Sequence, residues 1–241
     1  MTLGTLDLAN GILILVLDGI SIYVGLRLIL KYFKLRKMEL LLVGLCWIFI
    51  ACPWYPGGIS FLMYIFTSQN LTDVPYFIIG NVFIPIALVL WIMVISKFLK
   101  VKRKNLLIFL FVLFGIFFEV VFFVLLSIDP SLIGYLKGIT DVQYELFIIA
   151  YDVPVLIIML ITGILFTRES LKSSDETVRL KGKLLLTAFI LFIIGAGMDT
   201  SIPLNLITLS IYRTLEVLSA IFFYGGFYLP TWMKEIFVRN K

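Results

Sequence analysis

Long apolar runs alternate with short polar connections along the whole chain. Seven runs are each about 20 residues or longer, enough for an α-helix rising about 1.5 Å per residue to span the roughly 30 Å hydrocarbon core of a bilayer. The pattern predicts an all-α membrane protein, a polytopic bundle of seven transmembrane helices in which residues 1–241 form one domain. The predicted spans are 8–30, 40–63, 76–95, 106–127, 147–166, 184–202 and 206–229.

The overall composition strengthens the membrane interpretation. Hydrophobic residues make up 61% of the 241 positions, charged residues 15%, and the mean hydropathy is +1.10. Soluble globular domains contain about 45–50% apolar residues. A soluble fold of this length would need charged helix faces, whereas here the charges are concentrated between the apolar runs. The lipid bilayer is therefore the first expected partner.

Lysine and arginine are concentrated in every second connection and after the last apolar run. These four clusters contain 17 of the 20 basic residues, and the opposite connections contain only Lys137. Because cytoplasmic loops carry the excess of basic residues, the N-terminus is expected outside and the C-terminus in the cytoplasm of a multi-pass cell-membrane protein. The same placement accounts for the net charge of +5 without a nucleic-acid partner. The clusters are Lys31, Lys34, Arg36 and Lys37; Lys97, Lys100, Lys102, Arg103 and Lys104; Arg168, Lys172, Arg179, Lys181 and Lys183; and Lys234, Arg239 and Lys241.

Several chemistries are excluded by missing residue types. The chain has no histidine, which excludes haem ligation through imidazole, histidine-bound zinc and histidine-based catalytic triads. Cys46 and Cys52 lie six residues apart in one predicted helix, so they point to different faces and cannot easily form a disulfide. No lysine lies between Lys183 and Lys234, which excludes a retinal Schiff base in the last helix. We expect no cofactor and no metal.

One pair of aspartates resembles a catalytic motif. Asp152 and Asp199 are similar to the paired aspartates of presenilin-type intramembrane proteases, but Met198 stands where that family has the aspartate directly after glycine. The family's proline-alanine-leucine element is also missing. We therefore predict that the chain is not an enzyme.

Apart from Arg27 near the inner end of the first span, six ionisable residues of the Asp, Glu, Lys and Arg types lie within the predicted spans. Such residues are costly in hydrocarbon and usually face a bundle interior or a water-filled cavity. Counted from the outer helix ends at about 1.5 Å per residue, all six lie roughly 6–15 Å deep, to within a helical turn. The shared depth favours one polar cavity open to the outside, and the alternative is that each side chain stabilises helix packing by a local hydrogen bond. The predicted ligand-binding residues are Asp18, Glu119, Asp152, Asp199, Arg213 and Glu216.

Local spacing makes three further predictions. Arg213 and Glu216 are three residues apart on one helix face and are expected to form an ion pair. The prolines at positions 53, 56, 85 and 154 remove backbone donors in the outer half of the bundle and are expected to bend helices around a pocket. Its expected walls include Trp54, Tyr55, Asn81 and Tyr151. Close helix contacts are predicted at Gly195, Gly197, Gly225 and Gly226.

The order of spans and the N-out orientation resemble the seven-helix sensory modules that precede signalling domains in prokaryotic membrane receptors. Residues 179–183, which enter the sixth helix, and residues 226–232, which leave the seventh, are similar to junctions in uncharacterised archaeal membrane proteins of this type. The resemblance covers the whole chain and implies sensing of a ligand or of the membrane state.

Three functional hypotheses follow. The first is a receptor-like sensor in which an outward-facing acidic cavity binds a small molecule or cation and the basic inner loops contact a separate cytoplasmic signalling protein. The second is a small carrier or proton-coupled transporter that uses the same carboxyl groups. The third is a structural membrane subunit whose basic loops hold anionic lipids or a partner.

Overall fold

A computed structural model describes residues 3–238, and these residues are almost entirely helical. The prediction of an all-α chain is confirmed. Apart from the α-helices, the regular elements of the described residues are a 3-10 turn at Pro130–Leu132 and one small hairpin. The elements are α1 (Thr5–Leu35), α2 (Met38–Ile50), α3 (Tyr55–Thr67), α4 (Asp73–Asn81), α5 (Ile84–Phe98), α6 (Lys104–Ile128), β1 (Gly134–Leu136), β2 (Val142–Tyr144), α7 (Leu146–Leu171), α8 (Glu176–Ser201), α9 (Leu206–Phe227) and α10 (Thr231–Val238).

Within residues 3–238, six segments are long and apolar enough to cross a bilayer: α1, α4 with α5, α6, α7, α8 and α9. Helices α2 and α3 are long and apolar enough when they are taken together, with a bend of 57° between them. If they form one span, the number of candidate spans is seven. Large apolar side chains cover the outside of the bundle, as on the lipid-facing side of α6, where Phe117 is 67% exposed. These candidate spans support the prediction of a multi-pass membrane protein.

Pairwise packing places most helices in a closed ring. Going round it, α1 packs on α2, α2 on α5, α5 on α7, α7 on α8, α8 on α9, and α9 on α1. Helix α6 lies outside this ring against α5 and buries few side chains, among them Phe118 and Phe122. Helices α3 and α4 line one end of the ring. We call this end, where β1 and β2 also lie, the hairpin end, and the opposite end the basic end.

The proline-containing segments interrupt two helices, as predicted. Residues 51–54 separate α2 from α3, with Pro53 in the break and Pro56 in the first turn of α3. Residues 82 and 83 separate α4 from α5, and Pro85 follows in the first turn of α5. A break leaves backbone carbonyls without helical partners, and the Cys52 thiol donates to one of them, the Gly80 carbonyl, at 3.2 Å. Pro154 remains inside α7.

Glycines allow several helices to approach closely. A Cβ at Gly195 would lie 2.8 Å from the Glu216 side chain, and a Cβ at Gly226 would lie 2.2 Å from Leu185, so the predicted close contacts at these positions are confirmed. Gly225 is likewise covered by Met233 of α10. The prediction for Gly197 is wrong, since a Cβ there would meet nothing within 4 Å.

Of the fourth basic cluster, the structure describes Lys234, whereas Arg239 and Lys241 lie outside the described residues.

Helices α1 and α2 approach closely at a glycine pair that the sequence pattern did not indicate. A Cβ at Gly44 would lie 2.7 Å from the Gly25 carbonyl oxygen, a backbone atom that cannot rotate away. Gly44→Ala is therefore expected to destabilise the protein by about 1–3 kcal/mol through overpacking. Gly19→Ala is the control, because its Cβ would meet open space, and we expect an unchanged or slightly higher melting temperature from its better helix propensity. Equal melting temperatures for the two variants would contradict this packing.

Candidate ligand cavity

A cavity of about 340 Å³ lies inside the hairpin end of the bundle. Its lining combines apolar and aromatic side chains such as Ile14, Ile148 and Phe192 with polar groups from several helices and from the hairpin. It extends to the exposed α8–α9 turn at Pro203. This volume falls in the range of about 300–1,000 Å³ typical of small-molecule sites, which are likewise mostly apolar with a few placed polar groups.

The helix breaks shape the wall of this cavity. Pro53 and Trp54, from the break between α2 and α3, line it on one side, and Ile84, at the start of α5, lines it nearby. Trp54 belongs to the predicted pocket wall and is found there. The other three predicted wall residues, Tyr55, Asn81 and Tyr151, do not line the cavity.

A short hairpin closes part of the cavity and was not predicted from the sequence. Strands β1 and β2 pair antiparallel, with Gly134 opposite Tyr144, in the connection between α6 and α7. Its tip enters the bundle, since Ile139 is fully buried and Thr140 is 4% exposed. The tip packs closely on α3, where a Cβ at Gly57 would lie 3.2 Å from the Thr140 carbonyl oxygen. The hairpin is therefore part of the cavity wall.

The Arg213 side chain organises the polar groups beside the cavity. Its Nη1 donates to Asp199 Oδ2 at 3.0 Å and to Glu216 Oε2 at 2.8 Å. The predicted pair of Arg213 with Glu216 is thus confirmed, and Glu216 is only 1% exposed. Asn205 caps α9 by accepting from the backbone N–H of Ile207 and Thr208, both at 3.0 Å, which sets the start of the helix that carries Arg213.

Two further residues complete what we call the Arg213 network: Asn10, Trp54, Asp199, Arg213 and Glu216. Trp54 Nε1 donates to Asp199 Oδ2 at 2.8 Å. Asn10 Oδ1 accepts from Arg213 Nη2 at 3.2 Å, while Asn10 Nδ2 donates to Thr140 Oγ1 at 3.0 Å in the hairpin tip. The network therefore joins α1, the α2–α3 break, α8 and α9 to the hairpin.

Asp152 faces the same cavity but lies outside this network. It lines the cavity from α7, and its Oδ1 atom is buried without a hydrogen-bond partner among the described residues. The two cations of the cavity lining are already engaged, Arg213 by Asp199 and Glu216, and Lys137 by Gln143 Oε1 at 2.6 Å. A buried carboxylate without a partner is unfavourable, so this position is suited to a cationic group of a ligand.

Three predicted site residues lie outside the cavity lining: Glu216, which reaches it only through Arg213, Asp18 and Glu119. Asp18 is 8% exposed and packs against α3, where a Cβ at Gly58 would lie 2.6 Å from its Oδ2 atom. Glu119 lies on the peripheral helix α6, and both of its carboxylate oxygens are buried without partners within residues 3–238. The structure thus places Asp152, Asp199 and Arg213 in one cavity lining, joins Glu216 to it through Arg213, and leaves Asp18 and Glu119 outside.

The helix bounds also test the predicted common depth. All six residues lie in the hairpin-end half of their helices. At about 1.5 Å per residue, they range from roughly 3 Å below the helix end for Asp199 to roughly 20 Å for Asp18. This agrees with the predicted 6–15 Å to within one helical turn. Among the described residues, no three cysteine or carboxylate side chains come close enough to form a metal site.

Several polar residues of the cavity were missed by sequence reasoning, among them Asn10, Thr140, Asp141 and Gln143. Asn10 carries no charge and stands among apolar residues at the start of α1. The other three lie in a connection that looked like an ordinary loop between two spans. The available signal was the run of β-prone residues Val142, Gln143 and Tyr144 before α7, which is too short to predict a strand.

The hairpin supplies a prediction about pH. Burial raises the pKa of Asp141 above its ordinary value, and the nearby Asp199 carboxylate raises it further. Lys137 opposes this shift but does not cancel it. The folded state therefore holds this proton more tightly than the unfolded state, and stability falls as pH rises from about 4 through the folded pKa. Asp141→Asn should raise the melting temperature at neutral pH, and its advantage should disappear near pH ~4.

Asp129 provides a control of opposite sign. The Ser131 backbone N–H donates to Asp129 Oδ1 at 2.9 Å, and this bond lowers the pKa of the exposed Asp129 carboxyl. Asp129→Asn should therefore lower the melting temperature at neutral pH, with the difference vanishing on acidification. The same sign of change at neutral pH for both variants would contradict the burial of Asp141.

No protein family model, no curated protein and no solved structure matches this chain.

Proposed function

We propose that this protein is a receptor-like sensor in the cell membrane whose cavity binds a small organic cation from outside. The observation that carries the proposal is the Asp152 carboxylate, which has a buried, unpartnered oxygen in a cavity of about 340 Å³. A primary amine or guanidinium group would complete its hydrogen bonding. Trp54 and Phe192 supply an apolar wall for the body of the ligand.

The proposal includes a membrane topology. The bent pair α2 and α3 counts as one span, which makes seven crossings, and the N-terminus and hairpin end lie outside. In support, the connections at the basic end carry the Lys and Arg clusters, whereas Lys137 is the one basic residue in the connections at the hairpin end. The basic loops would then be available to an acidic surface of a cytoplasmic signalling protein.

Thermal unfolding of the detergent-purified protein tests ligand binding. A ligand that binds only the folded state raises its stability by about 2.7 kcal/mol at a hundredfold excess over Kd. We expect phenethylamine or agmatine to raise the melting temperature saturably, whereas 3-phenylpropionate, a carboxylate of similar size, should not. A flat response to the cations, or an equal response to the carboxylate, would contradict a cation site.

A carrier is the second candidate, because one helix break and the helix start that follows the other break line the cavity. Discontinuous helices form the substrate sites of many secondary transporters. Here the break between α2 and α3 contributes Pro53 and Trp54, and the start of α5 contributes Ile84. Both candidates predict binding, but only a carrier predicts net uptake of the bound cation into proteoliposomes. If proteoliposomes took up more of the cation than protein-free vesicles, the protein would be a carrier and not a sensor.

A further inference from the structure

A second cleft lies at the surface of the bundle, between α1, α9 and the start of α10. It has a volume of about 670 Å³. Four aromatic side chains and one cation dominate its lining, and the cleft contains no residue of the Arg213 network. These side chains are Tyr23, Arg27, Tyr224, Tyr228 and Trp232.

Two cations on one face of α1 lie at this cleft. Arg27 and Lys31 are one helical turn apart, so both side chains project to the same side. The Arg27 guanidinium carbon lies 5.7 Å from the centroid of the Tyr23 ring, and Lys31 Nζ lies 4.0 Å from that of Tyr228. Neither cation forms an ion pair with a carboxylate among the residues that the structure describes. Arg27 also donates to the Tyr224 hydroxyl and Lys31 to the Tyr228 hydroxyl. A guanidinium has five N–H donors and an ammonium three, so both cations keep donors for an anion.

The surroundings of the cleft are those of a lipid contact. Ile20 and Ile221 extend its lining toward the middle of the bundle with apolar surface. On α10, Met233 is 1% exposed and anchors the helix, whereas Trp232 and Ile236 are 52% and 59% exposed. Tryptophan and tyrosine favour the level of the lipid headgroups, with apolar groups on one side and water on the other.

We propose that this cleft binds the headgroup of an anionic phospholipid. The phosphate oxygens would accept hydrogen bonds from Arg27 and Lys31, and an acyl chain would run along Ile20 and Ile221. The charge argument favours this occupant, because two neighbouring cations without carboxylate partners near the end of a membrane helix attract an anionic headgroup. The aromatic rings beneath them hold the cations at the headgroup level while leaving their outer donors free.

Tryptophan fluorescence provides a direct test in vesicles. The other three tryptophans are 7% exposed or less, so contact quenching by lipids should report on Trp232. We expect phosphatidylglycerol with brominated chains to quench more strongly than brominated phosphatidylcholine at the same mole fraction. The excess should disappear in Trp232→Phe, which keeps the cations. Equal quenching by the two lipids in the wild-type protein would overturn the proposal.

Charge removal tests the same site by a second readout. In detergent, phosphatidylglycerol should raise the melting temperature saturably, and the concentration dependence of this rise gives an apparent affinity. The double variant Arg27→Gln with Lys31→Gln should lower that affinity roughly 30-fold, at about tenfold per 1.4 kcal/mol. Lys102→Gln with Arg103→Gln is the matched control, because it removes the same two charges from an exposed turn. Full retention of the lipid effect in the first variant would overturn the proposal.

Inorganic phosphate distinguishes a lipid from a free anion. It presents the same phosphate chemistry without acyl chains, and we expect no saturable shift of the melting temperature. A shift equal to that of phosphatidylglycerol would mean a soluble-anion site and would overturn the lipid assignment. The quenching measurement on the wild-type protein remains decisive if the double variant fails to fold.

Discussion

Arg213→Met is expected to lower the melting temperature of the purified protein by roughly 10 °C. The substitution leaves Glu216, which is 1% exposed, and Asp199 without their cation. Removing one partner of a buried ion pair costs about 3–5 kcal/mol, because the other charge remains buried and unpaired. At about 2–4 °C per kcal/mol for a chain of this size, the effect is readily measured by thermal unfolding.

Arg168→Met is the control for Arg213→Met. Arg168 is exposed at the basic end of α7, so losing its charge should change the melting temperature little. Combining Arg213→Met with Glu216→Gln should recover part of the loss, since the buried negative charge is also removed. An equal decrease for Arg213→Met and Arg168→Met would show that the Arg213 network does not stabilise the fold.

The second large effect is expected for Asp152→Asn. The variant keeps the shape of the side chain but removes the charge that we assign to cation binding, and we expect the affinity for phenethylamine or agmatine to fall about a hundredfold. Stability should stay at or above that of the wild type, because the unpartnered oxygen belongs to a buried carboxylate. Isothermal titration with the purified variant measures the first quantity and thermal unfolding the second.

Glu145→Gln is the matched control for Asp152→Asn. Glu145 is an exposed carboxylate just before α7, at the same end of the same helix, and it does not line the cavity. Removing its charge should leave the cation affinity within about twofold of the wild-type value, because salt screens the effect of an exposed surface charge. If the two variants bound the cation equally well, the ligand would have to lie elsewhere than beside Asp152.

Much of the fold could be predicted because the bilayer imposes local rules. Apolar runs of sufficient length must form helices, since lipid offers no partner for free backbone groups. Prolines at positions 53 and 85 mark the two breaks because each lacks the donor that a continuous helix needs. The ion pair of Arg213 with Glu216 followed from a spacing of three residues, which any α-helix brings together.

Distant partners could not be predicted in the same way. Asn10 and Arg213 are separated by 203 positions, and Trp54 and Asp199 by 145. Their contacts depend on how each helix is rotated and on the close approach that glycines permit. Hydropathy identified polar residues within the spans that need hydrogen-bond or ion-pair partners, but it does not indicate which neighbouring residue provides each partner.

The sequence by itself determined that this chain is helical, apolar and asymmetric in charge, with five carboxyl groups and Arg213 in the hairpin-end half of its helices and basic clusters at the opposite end. Only the tertiary structure decided that Asp152, Asp199 and Arg213 share a cavity, that Glu119 does not, and that a hairpin tip enters the bundle. The physical reason is that helix formation depends on neighbours along the chain, whereas a cavity depends on the relative rotation and packing of helices distant in sequence.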